Sequence, residues 1–374
     1  MSNKQVILVT GVAGYWGSRM AARLLELNEN LAQQPITDGI GFSGYHVIGL
    51  DTEPPKEPIK GLDFIQADVR NPLFVELLKS EQVHTLVHLA FIEANRPSER
   101  AFDFNVIGAM KALGAAAEAG VRKVILRSST AVYGAFPTNP AFIVENYPLN
   151  GNKSKNGSIR NWVDIEAFVN GFRRQVPEMV ITMLRFANII GPTVDSPFTR
   201  FLIQNPPLTL FGFDPLMQVI HENDVVEALI FSMRNDVPGV FNVAAEGILP
   251  LGKILGLAGR FSLPVIHLCA YWGIQMMSAS GVKSHQYFPI EPDYLRFPWI
   301  TDLARMREEM GFIPAYTAEE SLREFAGQLR LKKFKPEQID IAYDEERLRD
   351  TIERRRRQRE QLAHLSEETQ EGVQ

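Results

Sequence analysis

The sequence predicts an α/β protein: a doubly wound parallel sheet, a smaller C-terminal lobe and a charged helical tail. Short apolar runs alternate with helical patterns over the first 190 residues, and a glycine-rich turn joins the first run to the first helix. Residues 331–374 carry 21 charged residues, ten basic and eleven acidic, against 62 in the 330 residues before them. Strands of five or six residues separated by helices call for right-handed crossovers and parallel pairing.

Gln5–Thr10 (QVILVT) reads as the first strand and Ser18–Leu27 as the first helix. Tyr45–Leu50, Asp63–Ala67, Thr85–Leu89, Lys123–Arg127 and Val180–Arg185 read as further strands. Helical patterns fall at Pro72–Ser80, Ala101–Ala119 and Trp162–Arg174. Residues 28–44 and 137–158, rich in Asn, Pro and Gly, read as loops. After residue 190, Pro192, Pro197, Pro206, Pro207 and Pro215 break the rhythm. Val219–Ile220 and Val240–Val243 are expected to return to the sheet around a helix at Asp224–Met233. The expected division is therefore a sheet domain of 1–190 with 217–246, a lobe of 191–216 with 247–330, and a tail of 331–374. Leu263–Met277, apolar apart from His267 and Gln275, reads as a core helix of the lobe, with a membrane-surface helix as the other reading.

Composition excludes several classes. A net charge of −5 with 45% hydrophobic residues is that of an ordinary globular chain and gives no basic face for nucleic acid. The single cysteine, Cys269, allows no intrachain disulfide and fits a reducing, cytoplasmic setting. No apolar run reaches the roughly 18 residues of a membrane span. The seven histidines show no metal-ligand spacing, and no Gly-x-Ser-x-Gly elbow occurs. Arg354–Arg357 is flanked by Glu353 and Glu360 and reads as a solvated helix.

The turn Thr10-Gly-Val-Ala-Gly-Tyr-Trp-Gly17 points to dinucleotide binding. Gly11 suits a tight turn, Gly14 close approach of a pyrophosphate, and Gly17 close helix–strand packing; the helix N-terminus then offers free N–H groups. Asp51 ends the second strand, where a carboxylate accepts from ribose hydroxyls and repels a 2′-phosphate, favouring NAD over NADP. It lies 34 residues after Gly17, a long spacing that the 28–44 loop must absorb.

Further segments join this loop in a resemblance that covers residues 4–330. They are Ala67-Asp68-Val69-Arg70, Val87-His88-Leu89-Ala90, Asn105-Val-Ile-Gly108, Ser128-Ser129-Thr-Ala-Val-Tyr-Gly134, Leu184-Arg185-Phe-Ala-Asn188-Ile-Ile-Gly191-Pro192, Ile220-His221-Glu-Asn-Asp224-Val225 and Thr301-Asp302 through Pro314. In this order they resemble the extended short-chain dehydrogenase/reductases, in the NAD-dependent epimerase/dehydratase branch typified by UDP-galactose 4-epimerase. The resemblance implies a Rossmann-like fold holding NAD with Gly11, Ala13, Gly14, Tyr15, Trp16, Gly17, Asp51, Asp68, Val69, Leu89, Ala90, Asn105 and Ser128. It implies Ser129 as the group that orients the substrate oxygen and Asn188 as a contact to a nucleotide-sugar phosphate. A phosphate-binding arginine of that branch falls at Met217, leaving Arg200 or Arg296 as substitutes. It also implies a homodimer through the helices at Ala101–Ala119 and Trp162–Arg174.

The branch's chemistry rests on a Tyr-x-x-x-Lys pair one helical turn apart, where the ammonium lowers the tyrosine pKa for proton transfer. None of the nine tyrosines has lysine four residues on. Spacing back from the Leu184-Arg185 strand puts the pair at Ser158 and Trp162, with Glu166 in the following register position. A second register uses Lys155, with Gly151 at the tyrosine place. The expectations are a divergent epimerase, dehydratase or reductase acting on a nucleotide sugar or similar polyol, or a catalytically silent NAD-binding protein. Tyr133, Tyr147, Lys153 and Lys155 are candidate substitute acid/base groups if the 137–158 loop folds over the site.

Overall fold

The computed structural model describes residues 4–32, 44–279, 289–333, 349, 352 and 353. The centre of the 28–44 loop and the Arg354–Arg357 run lie outside the described residues. In chain order the elements are β1 (Gln5–Thr10), α1 (Tyr15–Ala32), β2 (Tyr45–Asp51), β3 (Asp63–Gln66), α2 (Phe74–Ser80), β4 (Thr85–His88), α3 (Glu99–Phe102), α4 (Gly108–Glu118), β5 (Lys123–Ser129), α5 (Gly157–Phe172), β6 (Val180–Phe186), β7 (Asn188–Ile190), α6 (Pro197–Ile203), β8 (Leu208–Leu210), β9 (Leu216–Met217), β10 (Val219–His221), α7 (Glu222–Arg234), β11 (Gly239–Val243), β12 (Leu249–Pro250), α8 (Leu251–Leu257), β13 (Leu263–Val265), α9 (His267–Ala279) and α10 (Ala318–Lys333). A π-helical turn, Asp103–Ile107, joins α3 to α4.

Seven strands form one sheet in the order β11-β6-β5-β4-β1-β2-β3, every pair parallel. The apolar runs of β1 and β4 need cover on both faces, as parallel strands do. Met20 and Leu24 of α1 with Leu229 and Met233 of α7 cover one face. Phe74 of α2, Leu113 of α4 and Val169 of α5 cover the other. Lys123, at the start of β5, is fully buried and donates from Nζ to the carbonyls of Met233 and Asn235 at 2.8 Å, beside Asp236 at 2.9 Å. It satisfies carbonyl groups left over at the end of α7.

One strand expectation is corrected. Val219–Ile220 does not return to the main sheet: β10 pairs with β7 in a separate two-stranded sheet, Ile220 opposite Ile189. The run is too short to extend along β6, and β11 takes that edge, Phe241 opposite Leu184. Leu263–Met277 divides into β13, paired with β8, and α9. No described helix is long and apolar enough to cross a membrane. The chain divides into a unit of residues 1–326 and one of 327–374.

Candidate functional site

The C-terminal ends of β1, β4 and β5 carry the site, as open parallel sheets favour. At β1 the backbone is forced through glycine. Gly11 has φ +78 and donates to the Leu50 carbonyl at 2.8 Å; a Cβ there would lie 2.6 Å from Ala90 N. A Cβ on Gly17 would lie 2.1 Å from the Gly11 carbonyl oxygen, so α1 meets the turn after β1 only because Gly17 has no side chain. The N-terminal N–H groups of α1 then open toward the loop, a ready seat for an anion. Asp51 fixes the loop from the side, accepting from Ala13 N–H at 2.9 Å and Thr52 N–H at 2.7 Å. Thr10 Oγ1 lies 2.9 Å from His88 Nδ1 and accepts from the Leu89 and Ala90 N–H groups, tying β1 to β4. Burial brings the His88 pKa down to about 4.

Gly11, Gly14, Asp51, Leu89 and Ala90 line a trough of about 460 Å³ with Arg70 and Phe104. Asp68 lies outside its lining; Arg70 holds the Asp68 carboxylate at 2.6 Å, and the hydrogen bond holds that carboxyl below its ordinary range. Val69 is in the core. Asn105, fully buried in the π-turn, takes the Ile92 N–H at 2.7 Å and gives to the Ile92 carbonyl at 2.9 Å. It therefore shapes the loop after β4.

The second cavity, about 140 Å³, lies where α5 begins. Asn156 caps α5 by accepting from Ile159 N–H at 3.2 Å, and Gly157 passes so near Arg96 that a Cβ would sit 2.4 Å from its carbonyl oxygen. The helix thus starts five residues before the expected Trp162, which puts Ser158 and Trp162 one turn apart in the lining with Ser128, Ser129 and Asn188. Both are engaged. Ser158 Oγ accepts from Ala94 N–H at 2.8 Å, and Trp162 stacks on Phe91 with centroids 4.9 Å apart and planes at 15°. Ser129 Oγ accepts from Ala131 N–H at 3.2 Å, and Asn188 Nδ2 donates to the Gln218 carbonyl at 3.0 Å.

Arg127 stands between two indoles: its guanidinium carbon is 5.4 Å from the Trp16 centroid and 5.6 Å from that of Trp162. Burial brings its pKa down to about 10, with Glu93 opposing. Trp16 and Trp162 fall in the family's segments, whereas Arg127 and Phe91 carry no such mark. The signal for Arg127 is a charged residue closing the apolar run Val124–Leu126.

Beneath this cavity runs a buried polar chain. Ser128 Oγ donates to Glu166 at 2.5 Å, Glu166 holds Arg185 at 2.5 Å, and Arg185 donates to Tyr133 Oη at 2.6 Å. Tyr133 in turn donates to Asn242 at 2.7 Å, and burial pushes its pKa up to about 12. The other substitute acid/base candidates stand apart: Tyr147 packs near Tyr133, Lys153 lies over Phe136, Lys155 is exposed, and none lines the cavity. Arg200 pairs with Glu93 at 2.8 Å and Asp195 at 3.2 Å, two carboxylates at the cavity wall. Arg296 sits against Phe213 and Phe297 and lies outside that lining. Tyr15, beyond the loop, bonds Thr193 at 2.7 Å, joining α1 to the turn after β7. No group of metal-ligating side chains occurs among the described residues.

An uncharacterized protein of Mycobacterium tuberculosis (strain ATCC 25618 / H37Rv) is 31% identical over 332 residues, covering 86% of this chain and 83% of that one. UDP-glucose 4-epimerase 4 of Oryza sativa subsp. japonica is 26% identical over 258 residues, covering 62% and 68%. The crystal structure of UDP-glucuronic acid 4-epimerase from Bacillus cereus, in complex with UDP-glucuronic acid and NAD, superposes with a TM-score of 0.63 at 18% identity, covering 88% of this chain and all of that one. Residues 7–244 match the profile of the NAD dependent epimerase/dehydratase family, and the chain belongs to that family.

Proposed function

We propose that the protein binds NAD(H) through its glycine loop and performs no Tyr/Lys-relayed hydride transfer. The adenosine diphosphate half of the cofactor fits: Gly11 and Gly14 leave backbone room, α1 offers N–H groups to the pyrophosphate, and Asp51 borders the trough where ribose hydroxyls would lie. When bound, NAD supplies a hydride acceptor or donor.

One observation carries the silent reading: both places of the relay pair are occupied by side chains committed to the fold. Ser158 is hydrogen-bonded to the loop at Ala94, and Trp162 is stacked on Phe91. A serine hydroxyl in the first place and an indole in the second supply no proton donor near neutral pH and no ammonium. Loss of such acid/base help costs about 10²–10⁴-fold in rate.

A second reading, a divergent epimerase or dehydratase acting on a nucleotide sugar, is favoured by Ser129 and Asn188 sharing one cavity with Asn95 and Asn156. Calorimetric titration with NAD⁺ and NADH, followed by hydride exchange with a panel of nucleotide sugars, separates the two. The expected result is binding without turnover. Turnover above the protein-free rate favours the second reading, and absence of any NAD(H) binding overturns both. Ser158→Tyr combined with Trp162→Lys is expected to gain measurable hydride exchange if the lobe still admits a substrate.

A further inference from the structure

A dinucleotide that starts at the glycine loop must run across the ends of β4 and β5 to bring its far ring beside Ser129 and Ser158. The trough at the loop and the cavity at α5 share no lining residue. Between them lies a space of about 10 Å³, bounded by Leu89, Ala90 and Phe91 on one side and Arg127 and Trp162 on the other. What fills the gap is a continuous stack from four separate segments: Trp16, Arg127, Trp162 and Phe91.

We propose that this stack divides the dinucleotide site, so that the protein reads the adenosine diphosphate part of its ligand and gives the nicotinamide no seat. Two physical effects act together. The indoles and the phenyl ring take the volume a nicotinamide riboside would need. The guanidinium between them also stands where the pyridinium of NAD⁺ would come; Glu93 offsets part of its charge, so the blocking rests first on the rings. The sandwich itself is favourable, because an enclosed arginine is held by both ring faces. The ligand class is then any nucleotide presenting an adenosine diphosphate group, with NAD(H) one member. The inference rests on the glycine loop binding such a nucleotide, as proposed above.

The test is calorimetry of the full chain with NAD⁺, NADH, ADP-ribose and ADP, beside the variants Trp162→Ala and Arg127→Ser. For the wild type we expect ADP-ribose, NADH and NAD⁺ to agree in Kd within about threefold, and bound NADH to keep the nicotinamide fluorescence of free solution. In the variants we expect NADH to gain about tenfold over ADP-ribose while ADP-ribose itself is unchanged. NAD(H) binding at least tenfold tighter than ADP-ribose in the wild type overturns the division and leaves NAD(H) binding intact. Variants that fold but still treat NADH and ADP-ribose alike overturn the role of the stack. Failure of all four ligands overturns the nucleotide reading and this inference with it. If a variant does not fold, the wild-type ratio and the fluorescence decide.

Discussion

At the glycine loop the backbone sets the geometry, whereas at the start of α5 the side chains set it. A Cβ on Gly11 would strike the Ala90 backbone and one on Gly17 the Gly11 carbonyl, so substitution there damages the fold and, if the proposed nucleotide binds there, its binding with it. Ser158, Trp162 and Arg127 are held differently. Their neighbours fix where they sit but not what chemistry they bring, and a serine or a tryptophan completes the packing as a tyrosine or lysine would elsewhere. The difference teaches that geometry written in the backbone is bound to the fold, while chemistry written in side chains is free to depart from it.

The largest expected effect lies under the α5 end. Glu166→Ala leaves Arg185 buried without its carboxylate and frees Ser128 Oγ. Unfolding free energy should fall by about 3–5 kcal/mol, as for other broken buried pairs; urea denaturation measures it. A loss near zero would mean that this end is not anchored by the polar chain, and the contrast with the loop would weaken.

Next comes the joint between the two regions. His88 ordinarily titrates at 6.5, and burial brings it to about 4. The unfolded chain therefore takes up a proton in this window before the folded one does. The contribution to stability is complete above about pH 6.5 and lost as pH falls toward 4, by roughly 3 kcal/mol. Denaturation curves at a series of pH values should show this slope, and His88→Gln should flatten it.

At the loop itself, Asp51→Asn removes the charge beside Ala13 and Thr52. Affinity for NAD⁺ should drop about tenfold and discrimination against a 2′-phosphate should shrink, by calorimetry with NAD⁺ and NADP⁺. An unchanged ratio would separate Asp51 from ribose recognition. The smallest effect is at the mouth: Arg200→Gln breaks half-exposed pairs to Glu93 and Asp195 and should cost under about 1 kcal/mol in thermal or urea melts.

The main sheet was legible from β1 to β6 because each strand is a local apolar run closed by turn residues, and the glycine turn sat in the context that gives it meaning. Val219–Ile220 was not, since three residues of strand say nothing of which partner they take. The start of α5 was missed because Asn156 and Gly157 look like loop residues until the helix they cap is seen. Ser158 and Trp162 were placed by spacing alone. The Trp16–Arg127–Trp162–Phe91 stack had no linear signature: its members come from α1, β5, α5 and the loop after β4, and only the crossovers of the sheet bring them together.

Lys123 has a further use. Its amine is wrapped by the carbonyls that end α7, some 110 residues away in sequence, and by Asp236. An amine-reactive reagent or an acetyl donor reaches it only when β5 and the end of α7 part, so the rate at which Lys123 becomes labelled in the otherwise native chain is a clock for the lifting of α7 from the sheet, read at one residue by mass spectrometry.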